Sequence, residues 1–412
     1  MIKRIVVKNF KSFDKLDIKL NRLNIIIGGN ASGKSNFIEI FKFLRDLEEG
    51  GLENAVSMQG GVDYFRNIKI GKSKIFNIKV ICKVETNWDE IRIGNKNYFV
   101  DEIIYEFSLN FDSKKGKLNS LGYSIQKDVL DIFYKTAKKQ EKYGSIKISN
   151  LRKGGLKVSS SDFSADDLRK KLPPKFNEFS RKVMKDKLII ESPQYLFSFG
   201  IMSFLFLFRR HKIFYFDTRL SRKAIPFTGK IELDEDGGNI AAVISNIQKD
   251  PEKEKKLLNL INNLLPFVDK ISIDRILDKS ILFKLKEKYS KDFLPAFCIS
   301  DGSINVIALI IALYFTSNRG TTIIEEPERN IHPSLVSKIA EIFKDVSSQK
   351  QIIISTHSPE LIKHFEELKN ILFISRTKDG YSRIEKLSSK SEIKHFLKNE
   401  IGIDELFVQN FS

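Results

Sequence analysis

A chain of 412 residues, 42% of them hydrophobic, exceeds one ordinary hydrophobic core and predicts two or three lobes. Its 70 Lys and Arg against 52 Asp and Glu leave a net charge of +18, which points to an anionic partner such as nucleic acid, although a Lys- and Ile-rich composition also suits a warm-growing host. Only Cys82 and Cys298 occur, in no CxxC or metal-ligand spacing, so structural zinc and a disulfide framework are excluded and a reducing cytoplasm is expected.

No signal peptide is expected at the start, where residues 2–7 alternate as a strand, 9–13 make a turn and 16–20 alternate again. The apolar run 23–27 then leads into Gly28-Gly29-Asn30-Ala31-Ser32-Gly33-Lys34-Ser35 and the amphipathic stretch that begins at Asn36. This is GxxxxGK[ST] in the context the pattern requires, a buried strand before it and a helix after it. Glycines let the backbone bend until its N–H groups face phosphate oxygens, and the helix N-terminus adds partial positive charge. Lys34 reaches β- and γ-phosphates and the Ser35 hydroxyl supplies a Mg²⁺ ligand. Gly50-Gly51 and Met58-Gln59-Gly60-Gly61 break the chain next, and Gln59 is either a group that orients a Mg²⁺-bound water or a solvated turn residue. Alternating runs at 75–80, 97–100 and 103–107 predict antiparallel strands that complete a first lobe over residues 1–110.

Residues 111–190 hold 20 Lys or Arg against 9 Asp or Glu, a net of +11, so most of the excess charge lies in under a fifth of the chain. Gly154-Gly155, Ser159-Ser160-Ser161 and Pro173-Pro174 separate pieces with a helical look. We read residues 111–210 as an inserted, largely helical basic arm, whose charge is either a phosphate-backbone contact surface or a solvated face. Its candidate contacts are Lys138, Lys139, Lys142, Lys170, Lys171, Arg181, Lys182 and Lys185. The apolar stretch 195–208 is shorter than the ~20 residues of a membrane span and contains Ser198, Gly200 and Ser203, so it is expected to be a buried helix.

A C-terminal lobe, residues 211–412, opens with a strand at 212–216, followed by Arg219, Arg222 and Lys223. Asp234-Glu235-Asp236-Gly237-Gly238-Asn239 before an apolar run reads as an acidic, capped helix start, with a metal site as the lesser alternative. Ile299-Ser300-Asp301-Gly302-Ser303 stands before the apolar helix 304–315 and makes a second helix N-terminus able to hold phosphate. The strand 321–324 ends in Glu325-Glu326-Pro327-Glu328, placing carboxylates at the carboxyl edge of a buried strand, where open α/β sheets bind ligands. One carboxylate can hold Mg²⁺ and its neighbour can polarise the attacking water. Another buried strand from Gln351 ends in Ser355-Thr356-His357-Ser358, with His357 placed to reach a γ-phosphate.

The series GGNASGKS, ISDGS, IIEEPERNIHP and IIISTHSPE, with the opening Lys8 to Phe13 and the segment from Tyr215 to Asn239, resembles the ABC-type ATPase heads of the SMC, RecF and OLD group, in the branch often labelled AAA ATPases. The resemblance covers roughly residues 1–110 and 210–375. It implies an α/β P-loop NTPase of ABC-ATPase head type, a two-lobed mixed sheet. By the same resemblance Gly28 to Ser35 is the Walker A loop, Ser300 to Ser303 the signature, Glu325-Glu326 the end of Walker B, Asn330 to Pro333 the D-loop region and His357 the switch histidine. The implied cofactors are ATP and Mg²⁺, with Lys34, Glu326 and His357 catalytic, Gly28 to Asn36, Ser300, Gly302 and Ser303 on the nucleotide, and Ser35, Glu325 and Gln59 on the metal side. The sequence departs from the group twice, with Glu325 where Asp is usual and with Asp301 in the signature, either near a phosphate or turned away to cap its own helix. Members of the group sandwich two ATP molecules in a head-to-tail dimer, so a homodimer is implied. OLD nucleases carry a further Toprim domain, for which the 55 residues after His357 leave no room, so cleavage is expected from a separate effector protein such as a nuclease.

These readings converge on an ATP-gated dimeric switch that acts on nucleic acid, in repair or in defence against invading nucleic acid. An ATP-dependent scaffold that holds and releases an effector protein, without direct nucleic-acid binding, is the alternative. A transporter ATPase is disfavoured by the basic insertion and by the lack of a membrane segment.

Overall fold

The computed structural model describes residues 1–386 apart from 86–88, 94–95, 116, 137–141, 152–154, 173–179, 181–186, 193–198, 202–203, 205–207, 228–229, 277–278, 317–319 and 366–367. In chain order the elements are β1 (Ile2–Phe10), β2 (Phe13–Lys19), β3 (Leu23–Ile27), α1 (Lys34–Met58), β4 (Phe76–Lys83), β5 (Glu90–Ile93), β6 (Lys96–Asn110), β7 (Ser124–Thr136), β8 (Lys142–Asn150), β9 (Leu156–Ser160) and α2 (Ala165–Lys171). There follow β10 (Lys212–Phe214), β11 (Ile225–Pro226), α3 (Ile240–Ile247), α4 (Pro251–Leu264), β12 (Val268–Ile276), β13 (Ser280–Glu287), β14 (Phe293–Pro295), α5 (Asp301–Tyr314), β15 (Thr321–Glu325), α6 (Pro333–Ser347), β16 (Gln351–Thr356), α7 (Pro359–Lys363), β17 (Ile371–Arg376) and β18 (Ser382–Glu385).

The chain divides into two compact units. The first comprises Met1–Asn21, Gly29–His211 and Phe373–Glu385; the second comprises Arg22–Gly28, Lys212–Leu372 and, among the described residues, Lys386. The first is built on an antiparallel sheet of order β2-β1-β4-β6-β7-β8-β9, with β5 beside β6. Strict alternation makes one face of it apolar, as in β4, where Phe76, Ile78, Val80 and Cys82 point inward. Helix α1 buries Phe37, Ile40, Phe41, Phe43, Leu44 and Leu47, and Phe43 meets Phe76 and Phe107 of this sheet at 5.9 and 6.3 Å. The centre is aromatic: Phe65 lies 4.6 Å from Phe76, 4.9 Å from Phe43 and 5.3 Å from Phe10, centroid to centroid. Each such pair adds about 0.5–1.5 kcal/mol to the area buried.

Residues 111–190 differ from the expected helical arm. Much of the segment is β7, β8 and β9, which extend the same sheet by antiparallel pairing onto β6. The reason is a period of two that the charged residues obscure: Asp128, Leu130, Ile132 and Tyr134 of β7, with Ile146 and Ile148 of β8, share the buried face. Among the described residues of this stretch only Ala165–Lys171 forms an α-helix longer than one turn. Three of the five lysines on these strands meet carboxylates, Lys127 with Glu106 at 2.8 Å, Lys135 with Asp101 at 3.3 Å and Lys147 with Asp131 at 3.6 Å. Lys170 is exposed, while Lys138, Lys139, Arg181, Lys182 and Lys185 lie outside the described residues. The structure gives only the backbone of Lys142, in β8, and of Lys171, in α2. Of the apolar stretch 195–208, Phe199, Ile201, Phe204 and Phe208 are buried, and its other residues lie mostly outside the described set.

In the second unit β10, β15, β16 and β3 lie side by side in that order. The strands from β10 to β3 run parallel. Runs of isoleucine suit strands buried on both faces, and β3 and β16 are buried along their whole length. Helix α6 packs on β3 and β16, and α4 packs on the almost entirely buried α5. A smaller sheet of order β11-β13-β12, with β14 on β13, completes the second unit. Cys82 is buried, Cys298 is exposed, and both are free. Among the described residues no helix is long and apolar enough to cross a membrane.

Lys350 stands out in this unit because it is 3% exposed, its ammonium reaching, among the described residues, only Thr316 Oγ1 at 3.3 Å and the Ala312 carbonyl at 3.4 Å. Burial pushes its pKa down to about 8. The unfolded chain then holds this proton up to an ordinary lysine value while the folded chain releases it earlier, so stability rises with pH above about 8 and the cost is full below it. Lys350→Met should raise the unfolding free energy at pH 7 by roughly 1–3 kcal/mol, with a gain that shrinks toward pH 10. Urea unfolding at the two pH values measures this.

Candidate functional site

The chain leaves the end of β3 through buried Gly28 and enters α1 by a tight loop. Ala31 and Gly33 take left-handed φ values of 58° and 116°. A Cβ on Gly33 would fall 2.1 Å from Ser382 Oγ, so only glycine fits there. Asn30, Ala31 and Ser35 are exposed, Asn36 is half-buried, and Ser32 and Lys34 are buried. Lys34 Nζ turns back onto the Gly29 carbonyl at 2.8 Å, and the Ser32 amide donates to the same oxygen at 3.3 Å. The first turn of α1 has no acidic residue and no side-chain cap, which leaves the positive end of its dipole to an anion.

Sequence reasoning missed what holds this loop. In the first unit Ser382 Oγ, on β18, donates its one proton to Ser32 O at 2.6 Å, which leaves it the acceptor for the Ser12 hydroxyl at 2.7 Å. Asn36 Nδ2 donates to Ser12 Oγ at 2.8 Å, and Arg376 Nε donates to Ala31 O at 2.8 Å. The motif carries no signal for Arg376 or Ser382, which arrive from more than 340 residues downstream. Ser12, in the turn already noted in the sequence, was the one visible member.

In the second unit the parallel register sets Glu325 abreast of Ser355 and Ser355 abreast of Ile26, so β15, β16 and β3 end at one edge of the sheet. Glu326 follows with a left-handed φ of 46°, an uncommon conformation for a side-chain-bearing residue, and its amide donates to Ser355 O at 2.8 Å. Glu326 Oε1 lies 3.4 Å from His357 Nε2, both groups remaining accessible. Glu328 was not singled out for a role, yet its Oε1 accepts from Thr356 Oγ1 at 2.5 Å while Oε2 is buried without a partner. Burial and the neighbouring Glu326 raise its pKa above the ordinary carboxylate value.

Helix α5 begins with Ser300 as its cap, accepting from the Ser303 amide at 3.2 Å. Asp301 is turned aside: its carboxylate accepts from Thr218 Oγ1 at 2.6 Å and pairs with Arg222 at 3.1 Å. The cap of α5 is thus Ser300 and not Asp301, whose charge is matched by Arg222 and Thr218 instead. Gly302 is needed because a Cβ there would sit 2.6 Å from Asn330 O. Asn305, one turn on, donates to Arg329 O at 2.5 Å. His332 caps α6 through the Ser334 amide.

Gln59 is 5% exposed and its Oε1 has no hydrogen-bond partner, which argues against a solvated turn residue. Ser32 Oγ is likewise buried without a partner. Such orphaned oxygens carry a cost that a bound polar ligand removes, so the residues fit a phosphate with Mg²⁺. Within the first unit Ser35 and Gln59 are the oxygens offered to it; Glu325, at the end of β15, belongs to the second unit.

A family model described as "AAA domain, putative AbiEii toxin, Type IV TA system" matches residues 23–363. Endonuclease GajA of Bacillus cereus (strain VD045) is 22% identical over 388 residues, covering 89% of this chain and 57% of that protein, so the chain spans little more than half the length of this curated relative. The SmcHead bound to the C-winged helix domain of ScpA aligns with a TM-score of 0.50 at 15% identity, over 95% of this chain and 99% of that one, a likeness of fold.

Ser382→Ala removes two buried hydrogen bonds from the loop and should lower unfolding free energy by about 2 kcal/mol, at ~1 kcal/mol each. Nucleotide affinity should fall with it. Denaturation and calorimetric titration of the same variant measure the two effects.

Proposed function

Because this chain belongs to that AAA domain family, among the ABC-type ATPases of the SMC, RecF and OLD group, we propose that it binds and hydrolyses ATP as an ATP-gated dimeric switch acting on nucleic acid. The observation that carries the reading is the common strand edge at which Glu326 Oε1 and His357 Nε2 stand 3.4 Å apart, one strand removed from the end of β3. In this reading the loop from Gly28 to Ser35 and the first turn of α1 hold the β- and γ-phosphates, and Lys34 neutralises them. Glu326 takes the proton from the attacking water as it adds to the γ-phosphorus, and His357 donates to a γ-phosphate oxygen. Mg²⁺, when bound, offsets charge on the phosphate oxygens. The products are ADP and phosphate.

Ser300, Gly302 and Ser303 at the start of α5 would serve the nucleotide of a second copy, so that two ATP molecules close a homodimer. Arg222 supports this role by neutralising Asp301, which would otherwise repel that phosphate. Repair or defence against invading nucleic acid is the setting we assign, with a separate effector protein as partner. One observation favours the scaffold alternative: Lys127, Lys135 and Lys147 are matched by carboxylates of the same sheet, which reduces the charge they offer to a phosphate backbone.

Lys34→Ala should abolish tight ATP binding in a folded protein, and Glu326→Gln should keep binding while slowing hydrolysis by ~10²-fold or more. Calorimetry and phosphate release test these, and normal turnover in Glu326→Gln with a dead Glu325→Gln would transfer the base to Glu325.

The nucleic-acid part is tested separately by salt. Neutralising three arm residues that touch phosphates, chosen among Lys138, Lys139, Lys142, Lys170, Lys171, Arg181, Lys182 and Lys185, should lower the log–log salt slope of duplex DNA binding by roughly 2–3. An unchanged slope selects the scaffold reading.

A further inference from the structure

Helix α1 is not continuous. At Gly51 the backbone leaves helical values, with φ 80° and ψ 174°, and the helix restarts at Leu52. A restarted helix needs acceptors for its first amides, and no residue just before Leu52 supplies a polar side chain. The acceptor comes from far along the chain instead: Leu52 N donates to Glu191 Oε1 at 3.2 Å. The other oxygen of the same carboxylate accepts from Leu188 N at 2.6 Å. The fit is close, since a Cβ on Gly51 would stand 2.6 Å from Glu191 Oε1.

The turn that carries Glu191 is itself fastened to the sheet. Ile189 N donates at 2.7 Å to Asp128 of β7, a buried carboxylate that also accepts from Tyr105 of β6 at 3.1 Å and from Asn150 of β8 at 3.1 Å. Asn150 holds the Lys187 carbonyl at 2.8 Å as well. At its other end the restarted helix delivers Gln59, whose amide donates to Val56 O at 3.2 Å and whose Oε1 is buried and unpartnered. Between the two ends Leu52, Ala55 and Val56 are buried, which anchors this short piece in the core.

From this geometry we infer that Glu191 is a positioning residue for Gln59, acting as the cap of the Leu52-to-Met58 helix and joining strands β6, β7 and β8 to the side of the site that meets Mg²⁺. The magnesium part of the inference rests on the nucleotide reading above. The capping part does not. A cap that ties a helix to a distant turn makes the orientation of its last residue depend on that turn, so Glu191 acts on Gln59 without touching the reacting atoms.

Hydrogen exchange of the full-length protein reads the cap directly. Glu191→Ala should speed amide exchange from Leu52 to Gln59 by about 2- to 30-fold, the range of a lost helix cap, while residues 34–47 keep their rates. Glu191→Gln, which still offers one oxygen, should restore most of the protection and guards against a misfolded alanine variant. The second arm measures the Mg²⁺ concentration that half-saturates binding of a fluorescent ATP analogue. It should rise in Glu191→Ala and in Gln59→Ala, and rise no further when the two are combined, because one acts through the other. Unchanged exchange at 52–59, or additive effects in the double variant, overturns the inference. A wild-type protein that binds no nucleotide at any Mg²⁺ concentration overturns the ATPase reading instead, and the exchange arm still decides the cap.

Discussion

The parallel register of β15, β16 and β3 is the constraint on which the rest depends. Because Glu325, Ser355 and Ile26 are abreast, each strand ends at the same edge and releases its polar residues there. A shift of one residue would turn those side chains to the opposite face. The strands hold that register because they are rich in isoleucine and threonine and buried in a sheet where a slipped strand would leave backbone groups without partners.

In each unit left-handed residues are braced. In the first, Arg376 and Ser382 hold the Ala31 and Ser32 carbonyls beside Gly33; in the second, the Glu326 amide is bonded to Ser355 and Asn305 holds the Arg329 carbonyl. A left-handed residue costs on the order of 1 kcal/mol or more, so it persists only where surrounding contacts outweigh it. The braces come from positions distant in the chain, which gives the loops a fixed shape before any ligand is bound.

Charge tells a more divided story. The excess of bases in residues 111–190 is a fact of composition, but three of the lysines in β7 and β8 are paired with carboxylates across strands, as an outer sheet face commonly arranges them. Asp301 shows the converse, a carboxylate whose unfavourable position in the motif is offset by Arg222 and Thr218. In both cases the sign of a residue says less than the neighbour it meets.

The sequence by itself determined the local pieces: β3 and the phosphate loop, the capped start of α5, the acidic end of β15 and the polar end of β16. Each is legible because its signal, a glycine, a cap or an apolar run, lies within a few residues of the group it positions. The tertiary structure alone decided that Ser124–Thr136, Lys142–Asn150 and Leu156–Ser160 are strands, that Asp301 turns toward Arg222, that Gln59 is buried, and that Ser382, Arg376, Asn305 and Glu191 hold the loops. Those outcomes depend on which distant segment supplies a hydrogen-bond partner or an apolar face. Such pairing is settled by long-range packing, where burial outweighs local preference, and a linear pattern carries no record of it.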